Sequence, residues 1–196
     1  MKTKEKLILS AMKIIDEKGY QNFTVRELAG QLNISDAAIY RHFKSKTEIV
    51  AEILKEYLEH FNRIQKQIQE EKFTATEAIE FYITKFLEYY EQNPAMISIL
   101  QLIDLLSHEN EFKELASKIV YGRLELLKSL AQYGIDNKEF DNVIDAETLA
   151  FSMLGTLNFI TLVWKLQGHN FLLTDKVQTF TNQIKAVLTS SDKQEK

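Results

Sequence analysis

The sequence predicts an all-α protein, in which a three-helix N-terminal domain containing a helix-turn-helix is followed by a six-helix body. Three observations lead there. Proline occurs once and glycine six times in 196 residues, too few turn-formers for many short strands. Apolar residues recur every three or four positions almost throughout, the spacing of one helical face. Ser, Thr and Gly stand where helices should start and stop, and no segment carries the alternation of a strand. With 45% hydrophobic residues the chain can build a real core, which argues against disorder.

The first helix is predicted over about Thr3 to Lys18, with Leu7, Ala11 and Ile15 on one face and Ile8 and Met12 beside them. Gly19 ends it as a left-handed C-terminal glycine. Thr24 caps a short helix from Val25 to Leu32, and Glu27 three residues on completes the pattern of a capping box. Asn33 interrupts. Ser35 caps a second short helix, through about His42, and Ser45 caps a third that runs to about Glu70 on Ile49, Ile53, Tyr57, Phe61, Ile64 and Ile68. Thr74 starts another, with Ala78, Tyr82, Phe86 and Tyr89 along one face. Asn93-Pro94 breaks it and sets Pro94 at the first position of the next. Helices over about 94–107, 109–133, 145–166 and 174–188 bring the total to about nine, with Gly134 and Gly168 as punctuation. The domains read as 1–46, 47–190 and a polar tail, 191–196.

Composition narrows the chemistry. Cysteine is absent, so no disulfide or thiolate metal site can form, as suits a reducing cytoplasm. The first apolar stretch is short and broken by Lys13, Asp16 and Glu17, unlike a signal peptide. No run of roughly 18 apolar residues is evident, so no membrane partner is expected. His60, His108 and His169 are scattered, and Asp104 with His108 makes only one i, i+4 pair, so neither a metal nor a cofactor is expected. No Ser-His-Asp set, phosphate-cradling glycine loop or acid/base pair stands out, and an enzyme is not expected. The net charge of −4 hides an asymmetry. Residues 1–50 carry nine Lys/Arg against six Asp/Glu, and residues 51–196 carry fifteen against twenty-two. A mildly basic head on an acidic body fits a nucleic-acid reader with a body that does something else.

The stretch from Phe23 to Ile49, FTVRELAGQLNISDAAIYRHFKSKTEI, is the most informative. Two short capped helices joined by a tight turn form a helix-turn-helix. Ala29 is small enough for their close crossing, and Asn33 suits a turn that needs positive φ. Leu28, Leu32, Ile34 and Ile39 are predicted to lock the pair together, with Phe43 in the core. That leaves Asp36, Ala37, Tyr40 and Arg41 outward, a mixture of small and polar side chains that can enter a major groove. Tyr40 has an alternative place, packed against the first helix.

The order Phe23-Thr24-Val25, Leu28-Ala29, Ile34-Ser35, Tyr40-Arg41-His42-Phe43 and Ser45-Lys46 resembles the DNA-binding block of the TetR family. Asn33 departs from the glycine usual there. The wording from Ala37 to Phe43 is also similar to the nucleoid-occlusion branch of that family. The resemblance implies a bacterial, nucleoid-associated regulator that binds a double-stranded operator as a homodimer and answers to a small-molecule effector. It assigns Thr24, Tyr40, His42 and Lys46 to phosphates, and Ser35, Asp36, Ala37 and Arg41 to base edges.

The body carries no motif of its own. Tyr82, Phe86, Tyr89, Met96, Leu100, Ile103, Tyr121, Met153, Leu157, Ile160 and Trp164 fall on inward-looking faces and read first as core. The resemblance places an effector cavity among such residues, where aromatics and Met suit an apolar or amphipathic ligand and Trp164 and Tyr121 offer polar handles. The last two helices are the expected dimer interface, through Phe151, Leu154, Gly155, Asn158, Phe159, Leu162, Phe180, Ile184 and Val187, with a monomeric bundle as the alternative. Gly155 inside a helix suggests close approach of a second backbone. Three readings stay open: a ligand-released repressor, a DNA-dependent adaptor acting through a protein partner, and an enzyme or carrier using the cavity.

Overall fold

A computed structural model describes residues 3–106, 110–141 and 144–188, with side chains described for all but 3, 104–106, 110, 111, 187 and 188. Among the described residues there are nine α-helices and no strand: α1 Thr3–Lys18, α2 Val25–Leu32, α3 Asp36–Tyr40, α4 Lys46–Glu70, α5 Ala75–Gln92, α6 Ala95–Leu106, α7 Asn110–Asp136, α8 Ala146–Leu166 and α9 Val177–Leu188. Short 3₁₀ turns occupy Tyr20–Asn22 and Thr174–Lys176. The predicted starts hold because their caps form. The Thr24, Ser35 and Ser45 hydroxyls accept from the amides of Glu27, Ala38 and Glu48 at 3.1, 3.3 and 3.0 Å. Asp145 does the same for Thr148 at 2.9 Å. Thr74 and Glu77 make a full capping box, each accepting from the other's amide, at 3.2 and 2.9 Å. Glu27 does not close the box predicted for it, since its carboxylate meets Lys18 instead.

The chain divides into two compact units, Met1–His60 with Asn93–Ile119, and Phe61–Gln92 with Val120–Lys196. This division, drawn by packing, cuts across the 1–46 and 47–190 segments read from sequence, because α6 packs on α1. Ser98 on α6 donates to the Asp16 carboxylate of α1 at 2.6 Å. The head core of the first unit comprises Leu7, Ile8, Ala11, Ile15, Phe23, Leu28, Ala29, Ile39 and Phe43, all buried.

In the second unit α5 packs against α8 and α9. Two carboxylates fix the ends of α5. Glu139 accepts from the amides of Ala75 and Thr76 at 2.9 and 3.1 Å, an anion at a helix N-terminus. Glu91 accepts from the Thr174 amide at 2.9 Å, tying the 3₁₀ turn before α9 to α5. Gly134 does not end α7, which continues to Asp136. It serves a close approach instead: a Cβ there would lie 2.2 Å from the Phe140 ring. Gly168 does terminate α8, at φ 68°.

By length and composition α8 is the one helix among the described residues apolar enough to cross a membrane, a test that a core helix of a globular protein also passes. On this helix Ser152 and Thr156 donate to the carbonyls of Thr148 and Ser152 at 2.9 and 2.8 Å.

Candidate nucleic-acid interface and body cavity

The turn between α2 and α3 is made by Asn33, held left-handed at φ 52°, ψ 43°. Its short side chain tolerates a conformation that a branched residue would resist. The amides of Asn33 and Ile34 return to the carbonyls of Gly30 and Ala29 at 3.2 and 3.0 Å, closing α2. Leu28, Ala29 and Ile39 are buried at the crossing as predicted, and Leu32 is half-buried. Ile34 is not part of that core: it is 37% exposed, because the left-handed residue before it swings the chain outward. Helix α3 is shorter than predicted, ending at Tyr40, with Arg41 as its C-cap. The amides of His42 and Phe43 both bond back to the Ile39 carbonyl, at 2.8 and 3.0 Å. That turn buries Phe43 while Asp36, Ala37, Tyr40, Arg41 and His42 face solvent. Tyr40, at 53% exposure, is not packed away against α1.

Thr24 and Ser35 are exposed although each hydroxyl already caps a helix. A hydroxyl that accepts from an amide keeps its own O–H to donate, so capping and phosphate contact are compatible. Lys46 differs from the other seven predicted residues. It is half-buried, with Nζ 3.5 Å from the carbonyl oxygens of both Tyr20 and Phe23 and 4.4 Å from the Tyr20 ring centre.

In the second unit, Tyr82, Phe86, Met153, Leu157 and Trp164 are buried, and Ile160 is half-buried. Three predicted pocket residues stand differently. The buried stripe of α5 runs Tyr82, Phe86, Tyr90, with Phe86 and Tyr90 rings 4.6 Å apart, so Tyr89 falls on its flank and is half-exposed. Tyr121 is 62% exposed, because the buried line of α7 passes through Ile119, Arg123 and Leu126. The Trp164 N–H is spent on the Phe171 carbonyl at 2.6 Å, which removes it as a free polar handle. Met96, Leu100 and Ile103 belong to the first unit, where Met96 is buried and the other two are half-buried.

The residue that sequence reasoning missed here is Arg123, buried to 6% exposure. Its Nε donates to the Tyr82 hydroxyl at 3.2 Å and an Nη to the Asn158 carbonyl oxygen at 3.1 Å, and the guanidinium stacks 4.8 Å from the Phe86 ring centre. The signal was available: Ile119 and Leu126 bracket Arg123 on one apolar line, and a charge on such a line calls for partners.

A cleft of about 480 Å³ lies between α5, α8 and α9. It is lined by Met153 and Leu157, predicted for the effector cavity, and by Phe180 and Ile184, predicted for the dimer interface. Phe180 is itself buried and Ile184 half-buried. The outer face of α8 is open. Phe151 and Phe159 are 58% and 67% exposed, Asn158 is exposed, Leu154 and Leu162 are half-buried, and nothing lies within 4 Å of a Cβ built on Gly155. The side chain of Val187 lies outside the described residues, as does His108. Among the described residues no three His, Cys, Asp or Glu side chains cluster as a metal site.

Two family profiles match the chain: bacterial regulatory proteins of the tetR family over residues 7–53, and the C-terminal region of YsiA-like proteins over residues 51–187. The chain belongs to the TetR family. This TetR-family regulator is 25% identical over 165 residues to the fatty acid metabolism regulator protein of Bacillus subtilis, covering 84% of each chain. It is 34% identical over 121 residues to the nucleoid occlusion factor SlmA of a Marinomonas species, covering 60% of each. Its fold superimposes on the crystal structure of FadR from Bacillus subtilis in complex with stearoyl-CoA with a TM-score of 0.78, at 23% identity, over 94% of this chain and 98% of that one.

Proposed function

We propose that this TetR-family chain is a homodimeric repressor that acts on the nucleoid in the bacterial cytoplasm, by binding rather than catalysis. Residues 1–46 grip the operator and residues 47–190 dimerise and bind the effector. The observation that carries the DNA reading is the outward face of α3 and its following turn, held by a buried core that includes Leu28, Ile39 and Phe43. Thr24, Tyr40, His42 and Lys46 meet phosphates, while Ser35, Asp36, Ala37 and Arg41 face base edges. Arg41 favours guanine, and the Ala37 methyl packs on a thymine methyl. The open face of α8, with Phe151, Gly155 and Phe159 in one row, meets its counterpart on a second protomer rather than lipid. Pairing of that kind sets two α3 helices at the spacing of successive major grooves.

The effector we propose is a long-chain fatty acyl thioester. The support is the similarity to a fatty acid metabolism regulator and the apolar, aromatic and Met-bearing lining of the second unit. Such a ligand releases DNA only by preferring one conformation of the protein over another. The test is a gel-shift series on a duplex selected from a random pool. Alanine at Tyr40 or Thr24 should weaken binding to every sequence. Alanine at Arg41 should cost about 1–3 kcal/mol on the selected site and relax specificity there. Affinities equal to wild type for all three would remove the assignment.

A second reading rests on the similarity to SlmA: a DNA-dependent adaptor without a small effector. Stearoyl-CoA that neither binds the protein nor frees its DNA would favour it.

A further inference from the structure

The open face of α8 presents two exposed polar side chains, Ser152 and Asn158, among the exposed rings of Phe151 and Phe159. Neither is polar in both senses. The Ser152 hydroxyl proton is spent on the Thr148 carbonyl at 2.9 Å, so its oxygen offers lone pairs outward. Asn158 is the reverse. Its Oδ1 accepts from the buried Arg123 guanidinium at 3.1 Å, while its Nδ2 has no acceptor among the described residues. Arg123 is itself held, since its Nε donates to the Tyr82 hydroxyl at 3.2 Å and its guanidinium lies 4.8 Å from the Phe86 ring centre. One helix face therefore displays an acceptor on the flank that lines the cleft towards α9 and a fixed donor on the flank towards α7.

The spacing is symmetric about a glycine. Ser152 and Asn158 stand three residues to either side of Gly155, and the helical repeat puts them on opposite flanks of the face. Nothing lies within 4 Å of a Cβ built on Gly155, so a second backbone has room to approach there. When two copies of α8 cross steeply at that point about a twofold axis, Asn158 of one comes over Ser152 of the other, and the reverse. Each donor then meets an acceptor, where a hydrocarbon surface would leave both without one. We propose that two copies of this chain cross at Gly155, and that each Asn158, aimed by Arg123, donates to Ser152 of the second copy. Asn158 is the specificity-determining residue that fixes one register on a largely apolar face, and Arg123 is the positioning residue behind it.

The inference rests on the homodimer reading, and one set of measurements separates the two failures. Sedimentation equilibrium of the full chain gives the dimer dissociation constant. Asn158→Ala and Ser152→Ala should each raise it roughly three- to thirtyfold. Within one chain the two side chains lie on opposite flanks, so coupling between them reports a contact across copies. Mixing the two variants, one of them mass-labelled, supplies the decisive readout. Either homodimer holds two broken pairs, whereas the heterodimer keeps one pair whole and leaves alanine facing alanine in the other. Native mass spectrometry at equilibrium should therefore find heterodimers favoured roughly three- to tenfold over the statistical half. A role for Asn158 confined to its own chain gives the statistical half, and that result overturns the proposal. Arg123→Met should raise the dissociation constant about threefold or more in wild type and leave it unchanged in the Asn158→Ala background. Equal effects in both backgrounds would remove Arg123 from the role. Should Asn158→Ala fail to fold, Ser152→Ala stands alone, and a wild-type constant there is fatal. A wild type that stays monomeric at every concentration sinks the homodimer reading and the inference with it. A dimeric wild type with a statistical mixture sinks the inference alone.

Discussion

Helices α2 and α3 together bury Val25, Leu28, Ala29 and Ile39, and they leave a row of polar side chains in water. Helix α5 alone buries eight residues, among them Tyr82, Phe86 and Tyr90. In the head, the core under α2 and α3 is completed by side chains from neighbouring elements, among them Leu7, Ile8, Ile15, Phe23 and Phe43, and the exposed face is set by backbone devices: three hydroxyl caps and one left-handed asparagine. In the body, shape comes from apolar area, and polar groups are admitted only with partners, as Arg123 is with Tyr82 and Asn158. The residues proposed to read DNA should therefore be changeable at little cost to folding. Almost any change at the centre of the second unit should register as lost stability.

Truncating Trp164 to alanine should show the largest effect. It removes a buried ring and leaves the Phe171 carbonyl without its donor, and should cost about 3–5 kcal/mol in denaturant unfolding. A loss under 1 kcal/mol would mean the body is not built on area as described. Arg123→Met comes next. It keeps most of the volume but strips the Tyr82 hydroxyl and the Asn158 amide of a partner, and a loss of about 1–3 kcal/mol is expected. Stability equal to wild type would show that apolar packing replaces those bonds without penalty.

Effects in the head should be smaller and of another kind. Asn33→Ala keeps a Cβ in the left-handed region but removes the amide that eases it there, at a cost of about 1 kcal/mol. A stabilised variant would contradict the turn geometry. Tyr40→Ala should change unfolding by less than about 0.5 kcal/mol while clearly weakening operator binding. A large drop in stability would place Tyr40 in the core after all. The smallest effect concerns pH. Hydrogen bonds from the Thr148 hydroxyl and amide hold the Asp145 carboxyl below its ordinary range. The folded pKa is the lower one, so the cap contributes above the unfolded value and is lost as pH falls through the folded one. The gap in Tm between wild type and Asp145→Ala should thus narrow on acidification from neutral pH to below the ordinary aspartate range. A gap that stays constant would mean the carboxylate is not the cap.

The sequence is most legible where structure is local. Starts and ends of the helices are legible because caps act within three residues, as with Thr24, Ser35 and Asp145. The exposed face of α3 is legible because so short a helix can bury only one side. Illegible features depend on distant chain. Glu139 and Glu91 look like surface carboxylates until α5 and the turn at Thr174 come to them across more than sixty residues. Tyr89 and Tyr90 are adjacent, and periodicity alone could not decide which joins Tyr82 and Phe86. Ile34 read as core because its type outweighed the effect of the turn before it. Lys46 is assigned to phosphates by the resemblance, and nothing in the sequence marks the Tyr20 and Phe23 carbonyls that its ammonium also faces.

The contact between Gly134 and the Phe140 ring makes two neighbouring positions heritable as one. A single methyl at 134 collides with the ring, so the ring must move, and Glu139 is bonded to the same carbonyl as Phe140. Shifting that hairpin lifts Glu139 from the start of α5. Mutational drift at residue 134 is therefore barred unless residue 140 shrinks first, and the toll of ignoring that order falls on a helix that neither residue belongs to.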